Sequence, residues 1–188
     1  MCSTPAQLPS LSWLEDPAVF AVNRLPAHSD HRWTVGGREP RQSLDGEWRF
    51  ACSPAPAARP AWFWQEGADL SGFGAIQVPG HIELQGWGHP QYTNVSYPWD
   101  GRRDLRPPCI PWDDTPVGSY VRDFVLDPAL AGGRVCVSFQ GVEQAFYLWC
   151  NGRFVGYSED SFTPADFDLT GFLREGENRL CVEVYKHC

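Results

Sequence analysis

The dipeptide Asn151-Gly152 constrains this chain more than any other feature. It joins two apolar runs, AFYLWC (145–150) and RFVGYS (153–158). A two-residue hairpin turn of type I′ needs positive φ at both central residues, and Asn-Gly is the pair that best tolerates it. The stretch therefore predicts a β-hairpin. Other segments read the same way. GEWRFAC (46–52) sets Trp48 and Phe50 against Glu47 and Arg49, and AIQVP (75–79) is a short strand. SYVRDFVL (119–126) puts Tyr120, Phe124 and Leu126 on one face, with Arg122 interrupting it. RVCVSF (134–139) aligns Val135, Val137 and Phe139, and NRLCVEVY (178–185) aligns Leu180, Val182 and Val184. No long amphipathic helix period occurs. One short helical turn fits near DLTGFLREGEN. Strands and turns at this spacing predict an all-β sandwich.

Residues 1–42 have no clear period, yet they carry Leu11, Trp13, Leu14, Val19, Phe20, Val22, Leu25 and Trp33. So many apolar groups do not suit a free tail. They predict an extended arm that docks on this domain or on another part of a larger protein. Residues 43–188 form the sandwich. Within them, 99–114 is a long Pro-rich, charged loop of the kind that often contacts partners. The chain stops directly after a core-type strand, which suggests a piece of a longer protein.

A chain of 188 residues is long enough to bury one core. Its net charge of -8 and its lack of a basic patch argue against nucleic acid as a partner. It has no GxxxxGK[ST] phosphate loop. The opening MCSTPAQLPSLSWLEDP has neither a basic region nor a long apolar run, so no targeting segment is expected. No run approaches the ~20 apolar residues of a membrane span. A cytoplasmic location is the expectation. The seven cysteines are odd in number and contain no CxxC pair, which predicts free thiols rather than a zinc site.

No catalytic set emerges from the titratable residues. There is no GxSxG. His28 and His31 lie three apart but without a helical period, so packing or surface roles are expected. His81 and His89 flank Gln85 and Trp87, where turn and packing roles fit better than a pocket. Glycosidases need two carboxylates at a defined separation. Glu159 and Asp160 are adjacent and expected to be solvated, Asp113 and Asp114 suit turns, and Glu143 suits a surface. What stands out is the uncharged loop QYTNVSYPW (91–99). Sugars have apolar C–H faces and a rim of hydroxyls. Aromatic rings match the first, and an amide matches the second as both donor and acceptor. Tyr92, Asn94, Tyr97 and Trp99 suit a carbohydrate-facing edge. They equally suit a sandwich cap in which Asn94 satisfies its own turn.

Several segments together resemble the N-terminal part of the large bacterial β-galactosidases of glycoside hydrolase family 2. They are NRLPAHSDHRW (23–33), SLDGEWRFACSPAP (43–56), VPGHIELQGWGHPQYTNVSYPWDG (78–101), PVGSYVRDF (116–124), GVEQAFYLWCNGRFVGYSEDSFTPADFDLT (141–170) and FLREGENRL (172–180). The resemblance implies a jelly-roll, galactose-binding-like β-sandwich with an extended N-terminal arm that helps assemble a homo-oligomer. It implies a substrate-binding role for Asn94, which would bond galactosyl hydroxyls, and for Val95 beside it. It places the catalytic glutamates in a (β/α)8 barrel that this chain lacks. The magnesium and sodium sites of the full-length enzyme have no counterpart here either, so the chain alone is expected to be inactive and to hold no cofactor. The expected partners are a galactoside and the missing barrel. The competing expectation is a free-standing, non-catalytic carbohydrate-binding or interaction module.

Overall fold

A computed structural model describes residues 8–28, 40–90, 98–102 and 104–188. The strands are β1 (Ala21–Val22), β2 (Gly46–Ser53), β3 (Gly74–Val78), β4 (Val117–Val125), β5 (Cys136–Phe139), β6 (Ala145–Cys150), β7 (Arg153–Ser158), β8 (Ala165–Asp168) and β9 (Glu177–Tyr185). Seven form one sheet in the order β1-β7-β6-β9-β4-β2-β3, and β5 pairs with β8 in a second. Every pairing is antiparallel. Among the described residues the only helical elements are short 3-10 turns.

Side-chain alternation along the strands divides the core. On β6, Ala145, Tyr147 and Trp149 face one cluster and Phe146, Leu148 and Cys150 the other, so all six residues are buried. A strand buried on both faces reads as a continuous apolar run rather than an alternating one, as AFYLWC does. The first cluster is closed by the arm and the segment around Phe63: Trp13 stacks on Tyr147 with centroids 5.8 Å apart, and Trp64 stacks on Trp149 at 4.4 Å. The second cluster lies under the β5-β8 sheet. There Trp48, Phe50, Leu180 and Val182 join Phe146 and Phe167, which matches the faces expected from GEWRF and NRLCVEV.

The arm docks on this domain. Trp13 and Leu14 are buried in its core, and β1 pairs with β7. At the far edge, the Gln85 amide accepts from the Gln77 N–H at 2.8 Å and donates to the Gln77 carbonyl at 3.0 Å. One side chain thus substitutes for the next strand's peptide on β3, where an open edge would invite pairing with another chain. The segment 168–178 makes hydrogen-bonded turns, with Phe172 N–H donating to Leu169 O at 2.8 Å, and forms no helix.

Asn151 and Gly152 form the two-residue turn between β6 and β7, with φ of 50° and 76°. Asn151 does more than turn. Its Nδ2 donates to Phe172 O and to Asn178 Oδ1, and its Oδ1 accepts from Arg179 N–H. An added Cβ at Gly152 would meet its nearest atom only at 3.6 Å. The cost of Gly152→Val is therefore conformational rather than steric, about 1–2 kcal/mol for forcing positive φ on a β-branched residue. An unfolding free energy from urea denaturation lowered by that amount is the expected result; an unchanged value would contradict the turn.

The six described cysteines are free thiols. Cys150 and Cys181 lie on neighbouring strands but in opposite core clusters, so the sheet separates their side chains. Burial pushes their thiols up to about 11 and about 12. They stay protonated and act as small apolar groups.

Candidate functional site

Tyr92, Asn94, Val95 and Tyr97 lie outside the described residues, but both flanks of their segment are described. The flanks converge on the residues that leave β9. The Lys186 N–H donates to Pro116 O at 3.0 Å, which carries the chain straight on from the strand. Lys186 Nζ donates to the Glu83 carboxylate and to the His89 carbonyl, the latter at 3.3 Å. The Lys186 and Glu83 side chains are only 22% and 18% exposed, so the pair is shielded from water and from salt. Burial pushes the Glu83 carboxyl up, but the hydrogen bond and charge of Lys186, with a backbone bond and His81, outweigh it and leave it below its usual range.

The next residue reaches the other flank. The His187 ring meets the Trp99 indole edge-on, with centroids 5.7 Å apart and planes at 86°. Burial and the adjacent Lys186 charge lower the imidazole from its ordinary 6.5, against the pull of Asp114 and Glu83. It is neutral at pH 7 and packs as an aromatic. Trp99 is itself unusual, with φ of 64°. The left-handed region costs a non-glycine residue about 1–2 kcal/mol, and a bulky residue there persists only where its surroundings hold it. Here its Nε1 donates to the Asp114 carbonyl at 2.9 Å. Gln144 secures the same stretch from behind: its N–H donates to Tyr185 O at 3.1 Å and its Oε1 accepts from Cys188 N–H at 2.9 Å.

The other candidate residues do not join this site. Gln85 caps the β3 edge, Trp87 packs edge-on against Phe50 at 5.1 Å, and His81 and His89 have exposed side chains. His28 Nε2 lies 2.9 Å from Asp166 Oδ2, tying the arm to β8, and His31 is outside the described residues. Glu159 is half-buried rather than solvated. Burial raises its carboxyl, the Tyr157 hydroxyl bond opposes that, and the Asp16 charge adds to it. Asp160 accepts from the N–H groups of Phe162 and Thr163, a turn role. Asp113 pairs with Arg102, and Glu143 is exposed. Among the described residues no group of three or more His, Cys, Asp or Glu side chains is placed to hold a metal. No helix among them is long and apolar enough to cross a membrane. What the convergence does is bring His89, just before the 91–97 segment, and Trp99, just after it, to consecutive positions of one strand exit; among the described residues it brings together no acid and nucleophile. Nothing in the alternation of β9 singles out Lys186 and His187.

Residues 41–188 match the family model described as glycosyl hydrolases family 2, sugar binding domain. The chain is 57% identical over 185 residues to a β-galactosidase of Halalkalibacterium halodurans, covering 94% of this chain and 18% of that protein. It is 48% identical over 196 residues to the β-galactosidase large subunit of Leuconostoc lactis, covering 95% of this chain and 31% of that one. The chain thus spans a fifth to a third of the length of these relatives. Among solved structures, a β-glucuronidase of Bifidobacterium dentium superposes with a TM-score of 0.52 at 24% identity, over 76% of this chain and 19% of its own. A family 2 glycosyl hydrolase from Bacteroides cellulosilyticus gives 0.54 at 22% identity, over 78% and 18%. These two likenesses speak for the sandwich fold alone.

Proposed function

The chain belongs to glycosyl hydrolases family 2 as its sugar-binding domain, and from that premise we propose that it serves a β-galactosidase acting on terminal β-D-galactosides such as lactose. The identity of 57% across 94% of the chain to a β-galactosidase carries this reading. The β-glucuronidase likeness rests on 24% identity and does not bear on which sugar is cleaved.

On this reading the 91–97 segment is the domain's contribution to the sugar pocket. The Asn94 amide offers a donor and an acceptor, which suits a hydroxyl that must both give and receive a hydrogen bond. Val95 lies beside the sugar, and Trp99 anchors the segment from outside. Hydrolysis needs an acid and a second carboxylate, and these belong to a barrel beyond this chain. Magnesium and sodium belong to the full-length enzyme as well, and no step within this chain is assigned to them. The arm takes part in homo-oligomer assembly.

The test begins with source-cell extract, fractionated by size, blotted against this domain and assayed with o-nitrophenyl β-D-galactoside. The expected result is hydrolysis that co-fractionates with a band several times heavier than 21.1 kDa. A 21.1 kDa band with no co-fractionating hydrolysis would favour a binding module instead. In the active species, Asn94→Ala is expected to lower kcat/KM by about tenfold or more, the worth of one hydrogen bond to a buried hydroxyl. Unchanged kinetics would remove Asn94 from the pocket.

A further inference from the structure

We propose that Phe20 and Phe162 anchor a docking surface at one end of the sandwich, and that its occupant is an apolar, basic-rimmed pocket on the part of the enzyme's polypeptide outside this chain. The inference rests on the reading of the chain as one domain of a longer β-galactosidase. It goes beyond that reading by naming the surface through which the domain joins the rest.

Three observations carry it. First, both rings face water. Phe162 is 97% exposed and Phe20 59%, and among the described residues neither packs into a core cluster. Single exposed apolar residues are ordinary, but these two share one scaffold. Glu159 N–H donates to Phe20 O at 3.0 Å. The Arg24 guanidinium lies over the Phe20 ring at 5.9 Å and 4.0 Å from Asp160 Oδ2. Second, that scaffold is bonded in place before anything docks. Asp160 Oδ1 accepts from Phe162 N–H at 3.0 Å and from Thr163 N–H at 3.2 Å, and its Oδ2 accepts from the Thr163 hydroxyl. Arg24, whose side chain is 7% exposed, also donates to Ser158 Oγ at 2.8 Å. A ring held out on an ordered turn loses little freedom on binding, which is how a few aromatic anchors come to carry most of an interface.

Third, the surroundings select the occupant. Arg24 is matched by Asp160, which leaves Glu159, and the Asp16 whose charge acts on it, beside the rings without an ion pair among the described residues. A pocket that takes two phenylalanines next to two carboxylates is apolar inside and cationic at its rim. A second copy of this chain fits poorly, because its net charge is -8 and like charges brought together oppose association. The rest of the enzyme offers far more surface, since this chain spans 18% and 31% of the length of its β-galactosidase relatives. The rings also share an end with the exit of β9. Ser158, which closes β7, lies opposite Phe146, and Tyr185, which closes β9, lies opposite Ala145. Docking there fixes the end of the sandwich at which His187 meets Trp99.

The test uses the galactoside-hydrolysing species. Hydroxyl-radical footprinting read by mass spectrometry compares each ring in the native enzyme with the same ring in urea. Phe162 and Phe20 are expected to react about tenfold more slowly in the native enzyme, as rings at the desolvated centre of an interface do, and to stay protected on dilution. A Phe162 that reacts almost as fast as in urea overturns the proposal. Protection that disappears on dilution, with the subunit mass unchanged, assigns the rings to a second copy and equally overturns it. A variant reads the contact independently. Phe162→Ser is expected to shorten the half-life of hydrolysis at a fixed elevated temperature about tenfold, the scale of losing one aromatic anchor, with Phe162→Leu close to wild type. Val125 is 62% exposed at the other end of β4, and Val125→Thr should leave the half-life within about twofold. A wild-type half-life in Phe162→Ser removes the anchor. If hydrolysis accompanies no chain heavier than 21.1 kDa, the β-galactosidase reading falls and the docking with it. Exposed rings in a heavier, active chain sink the docking alone.

Discussion

Arg59→Met is expected to destabilise the protein by about 3–5 kcal/mol, the usual consequence of stripping one partner from a buried ion pair. The reason lies on β9, where Glu183 is only 1% exposed. Its Oε2 accepts from Arg59 Nε at 3.1 Å and its Oε1 from the Tyr185 hydroxyl at 2.8 Å. Arg59 follows the Pro56–Ala58 turn and also donates from Nη1 to Pro56 O at 2.7 Å. Burial raises the Glu183 carboxyl above its ordinary 4.5, and the Arg59 charge and the two hydrogen bonds pull it part of the way back. Without Arg59 only the tyrosine bond remains, and the carboxylate must stay charged in the core or take up a proton.

The pH dependence follows from the direction of that shift. A carboxyl whose folded pKa lies above its unfolded value binds protons more tightly in the native state. Stability therefore falls as pH rises from the unfolded value of about 4.5 through the folded one. Arg59→Met removes the charge that restrains the shift, so this window widens upward. Urea denaturation at pH 5 and at pH 7.5 should show a larger deficit at the higher pH. Arg59→Met/Glu183→Met should recover most of the loss, because apolar groups of similar volume replace a buried pair at little cost. A deficit under about 1 kcal/mol, or one equal at both pH values, would mean that the pair is effectively solvated.

That pair also shows how far the sequence could be read. Segments whose role is set by their own alternation were legible: the 145–158 hairpin, the Trp48 and Phe50 face of β2, and the Leu180 and Val182 face of β9 all follow from side chains pointing alternately to two sides. Pairs set by long-range closure were not. Arg59 and Glu183 are 124 residues apart, and Lys186 and His89 are 97 apart, and no local period records which charge meets which. The two-residue β1 was missed because two residues carry no period, and the four-residue β8, ADFD, because two of its residues are aspartates, which are depleted in strands. Asn151 was legible as a turn former but not as the hub that bonds Asn178, because its second role depends on where β9 lands. The site loop stood out by composition, uncharged and aromatic where loops are usually polar. The substrate-binding role proposed for Asn94 and Val95 comes from family likeness alone, and the contacts of Trp99 with His187 and Asp114 came only from the folded chain.

Gly156→Ala is expected to cost about 2–3 kcal/mol, a large effect for one methyl group, because two independent elements close on the same spot. An added Cβ would lie 2.5 Å from Phe167 Cε1 and 2.6 Å from the Val22 carbonyl oxygen. Neither neighbour can yield cheaply. Phe167 is fully buried where the two sheets meet, with its ring 5.9 Å from that of Phe146. Val22 O belongs to backbone in β1, which is held to β7 in the register Ala21 to Ser158 and Val22 to Tyr157. Overpacking a filled core typically costs 1–3 kcal/mol, and the backbone contact puts this case at the upper end. The route of relief can be read separately from its size. If β1 gives way, amides of the arm at 19–25 should exchange faster while the β5-β8 sheet stays protected. If Phe167 gives way, the amides of β8 should exchange faster and the arm should not. The arm is the expected route, because β1 has two paired residues while Phe167 is held on all sides by the second core cluster. Glu159 N–H to Phe20 O at 3.0 Å and Leu25 N–H to Asp166 O at 2.8 Å would still tether its ends, so the arm should loosen without leaving. A loss below about 0.5 kcal/mol, with exchange unchanged in both places, would mean that β1 does not lie against Gly156.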